Sequence, residues 1–171
     1  MATAEQHTWY ETITSFWTDE DRQLWSQLIS YLLRWDGEAV VPPLHGEDDL
    51  RLLVASTRWF TEPARLVAGE RRDCHANAAR LHRSGTATAI GTGYALSGDG
   101  LWRQHSWAFD AGGIIETTEL RTMYCGVRLQ GEHAETFAAQ QLDPDPARDT
   151  ETPPQGSAGS GERPEPPTTG P

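Results

Sequence analysis

Thr86-Ala87-Thr88-Ala89-Ile90-Gly91-Thr92-Gly93-Tyr94-Ala95-Leu96, then Ser97-Gly98-Asp99-Gly100, then Trp102-Arg103-Gln104-His105-Ser106-Trp107-Ala108-Phe109-Asp110 is the stretch that decides the fold class. The first segment is rich in Thr, Ile and Tyr and reads as a strand; the Gly/Asp cluster reads as a turn; the third segment reads as a second strand. Ala111-Gly112-Gly113 is a tight turn, Ile114 to Thr118 returns as a third strand, and Tyr124 to Leu129 reads as a fourth. The pattern upstream is helical. Thr18 caps a helix that opens on Asp19-Glu20-Asp21, acids that suit the positive end of its dipole. Apolar pairs at Leu24/Trp25, Leu28/Ile29 and Leu32/Leu33 carry this helix to about Trp35, and Gly37 stops it. Val40-Val41-Pro42-Pro43 reads as an extended connector, Asp48 to Phe60 as a second helix, and Asp73 to Arg83 as a third, stopped by Ser84-Gly85. His133 to Leu142 forms a short terminal helix. Helices first and an antiparallel sheet afterwards predict an α+β fold.

The last thirty residues, Leu142 to Pro171, hold eight of the eleven prolines and almost no large apolar side chains. Such a segment buries too little surface to offset its ordering entropy and is expected to be a disordered tail. The expected organisation is one domain over 1–141, with a helical N-terminal part at about 1–66 and a core at about 67–130, followed by the tail at 142–171. About 140 residues suffice to bury roughly two-thirds of the unfolded surface without a disulfide staple.

The net charge is −11, from 25 acids against 14 bases, and the tail holds six of those acids. This balance argues against nucleic acid or an anionic membrane as a partner. All fourteen bases are arginine, as coding bias in a high-GC bacterium would produce. The chain shows neither a membrane-spanning apolar run nor the basic and apolar regions of a signal peptide, so a cytoplasmic protein is expected. The two cysteines are then expected as free thiols.

Within this frame the chemistry-bearing residues are Asp73-Cys74-His75-Ala76-Asn77-Ala78 and Gln104-His105-Ser106-Trp107. Cys74 opens the third helix, where unpaired N–H groups and the dipole favour a thiolate. Asp73, the expected cap, opposes that charge, and Arg71 and Arg72 offset it. His105 sits on a strand with Trp107 on the same face, so it can hold the thiolate as an ion pair while the indole excludes water. His75 points about 100° away from Cys74 around the helix and is the weaker base. Glu116 is the first choice as the acid that orients His105. With a two-residue turn at Gly112-Gly113 it lies opposite Phe109, on the His105 face but four residues away. With a three-residue turn Glu119 pairs with His105 instead. Cys74, His75, His105 and Cys125 are soft ligands, but no metal-site spacing connects them, and no metal or cofactor is expected.

These residues resemble a family of mostly uncharacterised bacterial and phage proteins with a papain-like or transglutaminase-like cysteine fold. The resemblance rests on Cys74-His75-Ala76-Asn77-Ala78, Gly93-Tyr94-Ala95, His105-Ser106-Trp107, Ile115-Glu116-Thr117-Thr118 and Tyr124-Cys125-Gly126-Val127, and covers about residues 70 to 130. It implies Cys74 as nucleophile, His105 as base, Glu116 as third member, and Asn77, one helical turn after Cys74, as a substrate-side residue beside Trp107. The family more often carries Asp-Pro-Thr where this chain has Glu116-Thr117-Thr118. The expectation is thiol-dependent acyl chemistry on a peptide or other amide: hydrolysis by a peptidase, amidase or deamidase, or transglutaminase-like transfer. The rival expectation is a non-catalytic binding or accessory module on the same scaffold, such as one carried by a mobile element.

Overall fold

The computed structural model describes residues 17–42 and 50–143. Thr18 forms a full capping box: its Oγ1 accepts from Asp21 N at 3.1 Å, and the Asp21 carboxylate accepts from Thr18 N at 3.0 Å. Helix α1 follows over Asp19–Leu33 and buries Trp25, Leu28 and Leu32, one side of each apolar pair in the sequence. Gly37, at φ +96°, ends the approach to the sheet; the Trp102 indole fills the space a side chain would need there and donates to Asp36 O at 2.8 Å. Replacing Thr18 by alanine is expected to lower stability by about 1 kcal/mol in urea denaturation.

Strand β1 is Ala39–Val40, helix α2 is Leu50–Ser56, and β2 (Arg58–Phe60) and β3 (Ala64–Leu66) follow. Helix α3 is Cys74–Arg83; β4 (Ala89–Leu96), β5 (Leu101–Asp110), β6 (Gly113–Glu116) and β7 (Met123–Leu129) form the body of the sheet; α4 is Glu132–Leu142. The fold is α+β. The strand order is β2-β7-β4-β5-β6-β3, with β1 attached to β5. The expected all-antiparallel sheet is corrected to a mixed one, because β1 runs parallel to β5 and β3 parallel to β6. The "helical" N-terminal part likewise contains three strands. The second helix stops at Ser56, and Arg58–Phe60 leaves it to pair with β7, so ladder partners far along the chain override the local helical rhythm. Residues 43–49, and the tail beyond Asp143, lie outside the described residues.

The alternation along β5 sorts the core into two sides. Tyr94, Leu96, Trp102, Cys125 and Val127 pack under α1 and α2, and Ile90 packs under Ala78, Ala79, Ala134 and Ala138 of α3 and α4. The four helices among the described residues therefore share one face. The other face carries Phe60, Trp107, Phe109, Ile114 and Tyr124. Trp107 packs edge-on to Phe60 with ring centroids 5.6 Å apart and lies 5.1 Å from Tyr124. Gly91, Gly93 and Gly126 also lie on this face; a side chain at Gly91 would fall on the Trp107 indole.

Among the described residues, no helix is long and apolar enough to cross a membrane.

Candidate active site

On the side of β5 away from β4, β1 pairs with Leu101 and Trp102, and β6 with Ala108, Phe109 and Asp110. The stretch between them carries Gln104, His105 and Ser106, and the N-terminus of α3 meets the sheet here. Ser106 faces the helices and His105 the aromatic side. His75 Nδ1 lies 2.7 Å from Ser106 Oγ, which donates to Thr92 Oγ1 at 3.0 Å, and the Cys74 thiol shares one cleft with His105, close enough for the ring to act on its ionisation. Cys74 is half-buried and the His105 ring is 2 % exposed.

The far nitrogen of His105 is committed to a carboxylate. Nε2 donates to Glu116 Oε1 and Oε2 at 2.9 and 2.8 Å, which leaves Nδ1 for Cys74. Glu116 is fully buried, 0 % exposed. It also accepts from Thr117 N at 2.8 Å, Thr118 N at 3.2 Å, Thr118 Oγ1 at 3.3 Å and the Tyr124 hydroxyl at 3.2 Å. A buried carboxylate with this many donors is satisfied as an anion.

The register that produces this contact differs from both expected ones. The turn is Ala111-Gly112, and Gly113, at φ +118° and placed where a β-carbon would strike Pro63 O, is already the first strand residue, paired with Asp110. Continuing that register puts Glu116 level with Trp107, one diagonal step from His105 rather than four residues away. Glu119 does not reach His105; it forms an ion pair with Arg121 at 2.6 Å.

Burial pushes the Cys74 thiol up, but hydrogen bonds and positive charge from His105 and His75 outweigh it and bring the thiol down to about 5. Burial pulls His105 down, while its bonds to Cys74 and Glu116 and the charge of Glu116 raise it to about 9. Burial likewise pushes the Glu116 carboxyl up, and His105 and the Thr118 and Thr117 amides hold it below the ordinary glutamate value. Thiol and imidazole titrate as a pair, and between the two values the thiolate–imidazolium form dominates. Burial, with the Glu116 charge beside it, pushes the Tyr124 phenol up, so it remains a donor.

Cys74 and His105 open on a cleft of about 600 Å³, also lined by Ala68, Gly69, Thr117 and Thr118. Two residues expected at the substrate side are not in its lining. Trp107 is 0 % exposed; it lies against His105 with ring centroids 6.3 Å apart and has no surface to offer a substrate. The Asn77 amide, 4 % exposed, clamps the preceding loop: Oδ1 accepts from Glu70 N at 3.0 Å and Nδ2 donates to Glu70 O at 2.7 Å. Asp73 occupies the cap position without capping, since its carboxylate pairs with Arg80 at 3.0 Å instead. His75, read as pointing away, contributes to holding the Cys74 thiol down. Tyr124 was visible only as part of a motif, and its role as a donor to Glu116 depends on the β4–β7 pairing. Cys125 packs in the core under α1 and α2, 3.4 Å from Thr57 Oγ1, and burial, partly opposed by that contact, pushes its thiol up to about 11. Both cysteines are free. Among the described residues, no three His, Cys, Asp or Glu side chains are grouped to hold a metal ion.

Comparison of the chain with protein-family models, with curated proteins and with solved structures finds no match.

Proposed function

We propose that the protein is a cysteine enzyme of the papain-like or transglutaminase-like kind that carries out acyl transfer from an amide. The Cys74 thiolate attacks the carbonyl carbon. The oxyanion that forms is held at the start of α3, where the Cys74 backbone N–H has no acceptor within the helix. His105 Nδ1–H protonates the departing nitrogen as the C–N bond breaks, leaving an acyl thioester on Cys74. Water or an amine, deprotonated by the now neutral His105, attacks the thioester and regenerates the thiolate. Glu116 fixes the ring and its tautomer through Nε2 and stabilises the imidazolium. No cofactor is required. The observation that carries this reading is the placement of Cys74 and His105 in one open cleft, with the ring held from behind by buried Glu116.

The test is the rate of alkylation by iodoacetamide as a function of pH, read by mass spectrometry, with Cys125 as internal control. The thiolate is the reactive form, so labelling of Cys74 is expected to rise as pH passes about 5 and to be fast at pH 7. An unperturbed thiol reacts fully only above about 8.5. In His105→Ala the opposing burial remains and the pair is lost, so the rise moves toward or above the ordinary thiol value. Slow labelling of folded wild type, unchanged by the mutation, would leave a structural cysteine on a binding module.

A further inference from the structure

The chain is strongly acidic, yet the cleft at Cys74 is not. Its lining includes Arg71, Arg72, Arg103 and Arg121, and among the described residues Glu119 is its one carboxylate. Arg103 is neutralised from outside the cleft by a two-point contact with Asp99, both bonds at 2.8 Å. Arg121 shares the charge of Glu119 and donates to Ser97 Oγ; its side chain is 9 % exposed and its Nε has no acceptor among the described residues. Arg71 and Arg72 are exposed, and no described carboxylate lies within ion-pair distance of either. They sit on the loop that enters α3, two and three residues before Cys74. Arg72 holds φ +62°, a left-handed conformation that costs a non-glycine residue of order 1 kcal/mol. The loop is fixed from below by the Asn77 clamp on Glu70, and by the bond from Gly69 N to Thr117 O at 2.9 Å. Two guanidinium groups without an ion-pair partner among the described residues are thus held on a braced loop at the cleft that Cys74 lines, in a recess where protein walls focus their field.

We infer that the amide substrate carries an anionic group, a carboxylate or a phosphate, close to the carbonyl that Cys74 attacks, and that Arg71 and Arg72 bind it. This inference rests on the acyl-transfer reading of the site. Guanidinium forks match both kinds of oxyanion, and their placement at the mouth of the cleft also draws anions in from solution.

The test compares two alkylating probes that differ in charge. Iodoacetate and iodoacetamide both lose iodide to the attacking sulfur, but only iodoacetate carries a carboxylate. The ratio of their rates at Cys74, divided by the same ratio on glutathione, is expected to exceed one, to fall as salt is raised, and to drop about tenfold in Arg71→Gln/Arg72→Gly. Glycine accepts the left-handed backbone at position 72, so this variant keeps the loop. Arg71→Gln alone gives a second, smaller drop and guards against a loop rearrangement in the double variant. A ratio equal to that of glutathione, unchanged by either variant, overturns the inference. The acyl-transfer reading fails separately, by slow reaction of Cys74 with both probes at neutral pH; the ratio is then read at pH 9, where ordinary thiols react. Protection of Cys74 by N-acetylglutamate, against N-acetylglutamine as the neutral control, assigns the carboxylate, and protection by phenyl phosphate assigns the phosphate.

Discussion

Glu116→Gln is expected to shift the pH at which Cys74 becomes reactive upward by about one to three units while leaving the chain folded. The argument lies in how the two carboxylate oxygens are used. Oε1 accepts from Thr117 N, Thr118 N and Thr118 Oγ1, three donors that fix an oxygen at that position. The glutamine amide nitrogen must therefore take the place of Oε2, which faces His105 Nε2 at 2.8 Å and the Tyr124 hydroxyl at 3.2 Å. The amide nitrogen would then face the His105 Nε2–H as a second donor, and the neutral oxygen at the Oε1 position, 2.9 Å away, would be left as its acceptor. Glutamine thus removes the charge and one of the two acceptors that hold the proton on His105, so the imidazolium beside Cys74 is less favoured. The alkylation profile and, once a substrate is found, the pH dependence of kcat/KM both report it. Activity in the wild type should rise as the thiol ionises near 5 and fall as His105 loses its proton near 9. A Glu116→Gln profile that superimposes on the wild type would remove Glu116 from the site. Glu116→Ala is the harsher change: it leaves a buried histidine without its partner and should cost about 3–5 kcal/mol of stability.

Gly93→Ala is expected to destabilise the fold by about 3 kcal/mol or more, enough to unfold a marginal domain. Gly93 pairs with His105 on one side and with Gly126 on the other. Its φ of +153° is one that side-chain-bearing residues rarely adopt. A β-carbon there would fall on Cys125 O and lie 2.6 Å from the Gly126 α-carbon. Both obstacles are backbone, so neither can rotate away, and relief requires β4 and β7 to separate at the level of His105. A side chain at Gly126 would in turn strike Thr92 O, so the pair needs glycine on both strands. The control is Gly98→Ala, in the β4–β5 turn, where a β-carbon meets nothing within 4 Å; it should change stability by less than about 0.5 kcal/mol. Urea denaturation of both variants measures the difference. Equal midpoints would mean that the sheet relaxes at Gly93 without cost, and the close approach of β4 to β7 would lose its structural importance.

The legible parts of this chain are those written at short range. The cap at Thr18, the apolar rhythm from Leu24 to Leu33, the stop at Gly85 and the strand alternation around His105 all depend on neighbours within one or two turns. The positions of Cys74 at a helix start and of His105 beside Trp107 on a strand follow from the same local rules. Register is a different matter. Whether Glu116 or Glu119 meets His105 depends on Gly113 joining β6 instead of the turn, and that is decided by Pro63 packing against it from β3's approach. The short strands β1, β2 and β3 have too little sequence to declare themselves, and exist because β5, β7 and β6 offer them partners.

The surroundings of several side chains near the cleft likewise come from elsewhere in the chain. Asn77 lies on the Cys74 side of its helix, but Glu70 folds back to take both ends of its amide. Trp107 shares a face with His105, but Phe60 and Tyr124 close over it. Arg71, Arg72, Arg103 and Arg121 are scattered in a chain with an excess of acid, and only the folded cleft collects them. Sequence by itself therefore determined an α+β chain with a cysteine at a helix start and a histidine on a strand, because helix and strand signals are local and periodic. The tertiary structure alone decided that the two line one cleft, that a buried Glu116 holds the His105 ring, and that four arginines gather around them, because those relations depend on register, burial and residues far apart in the chain.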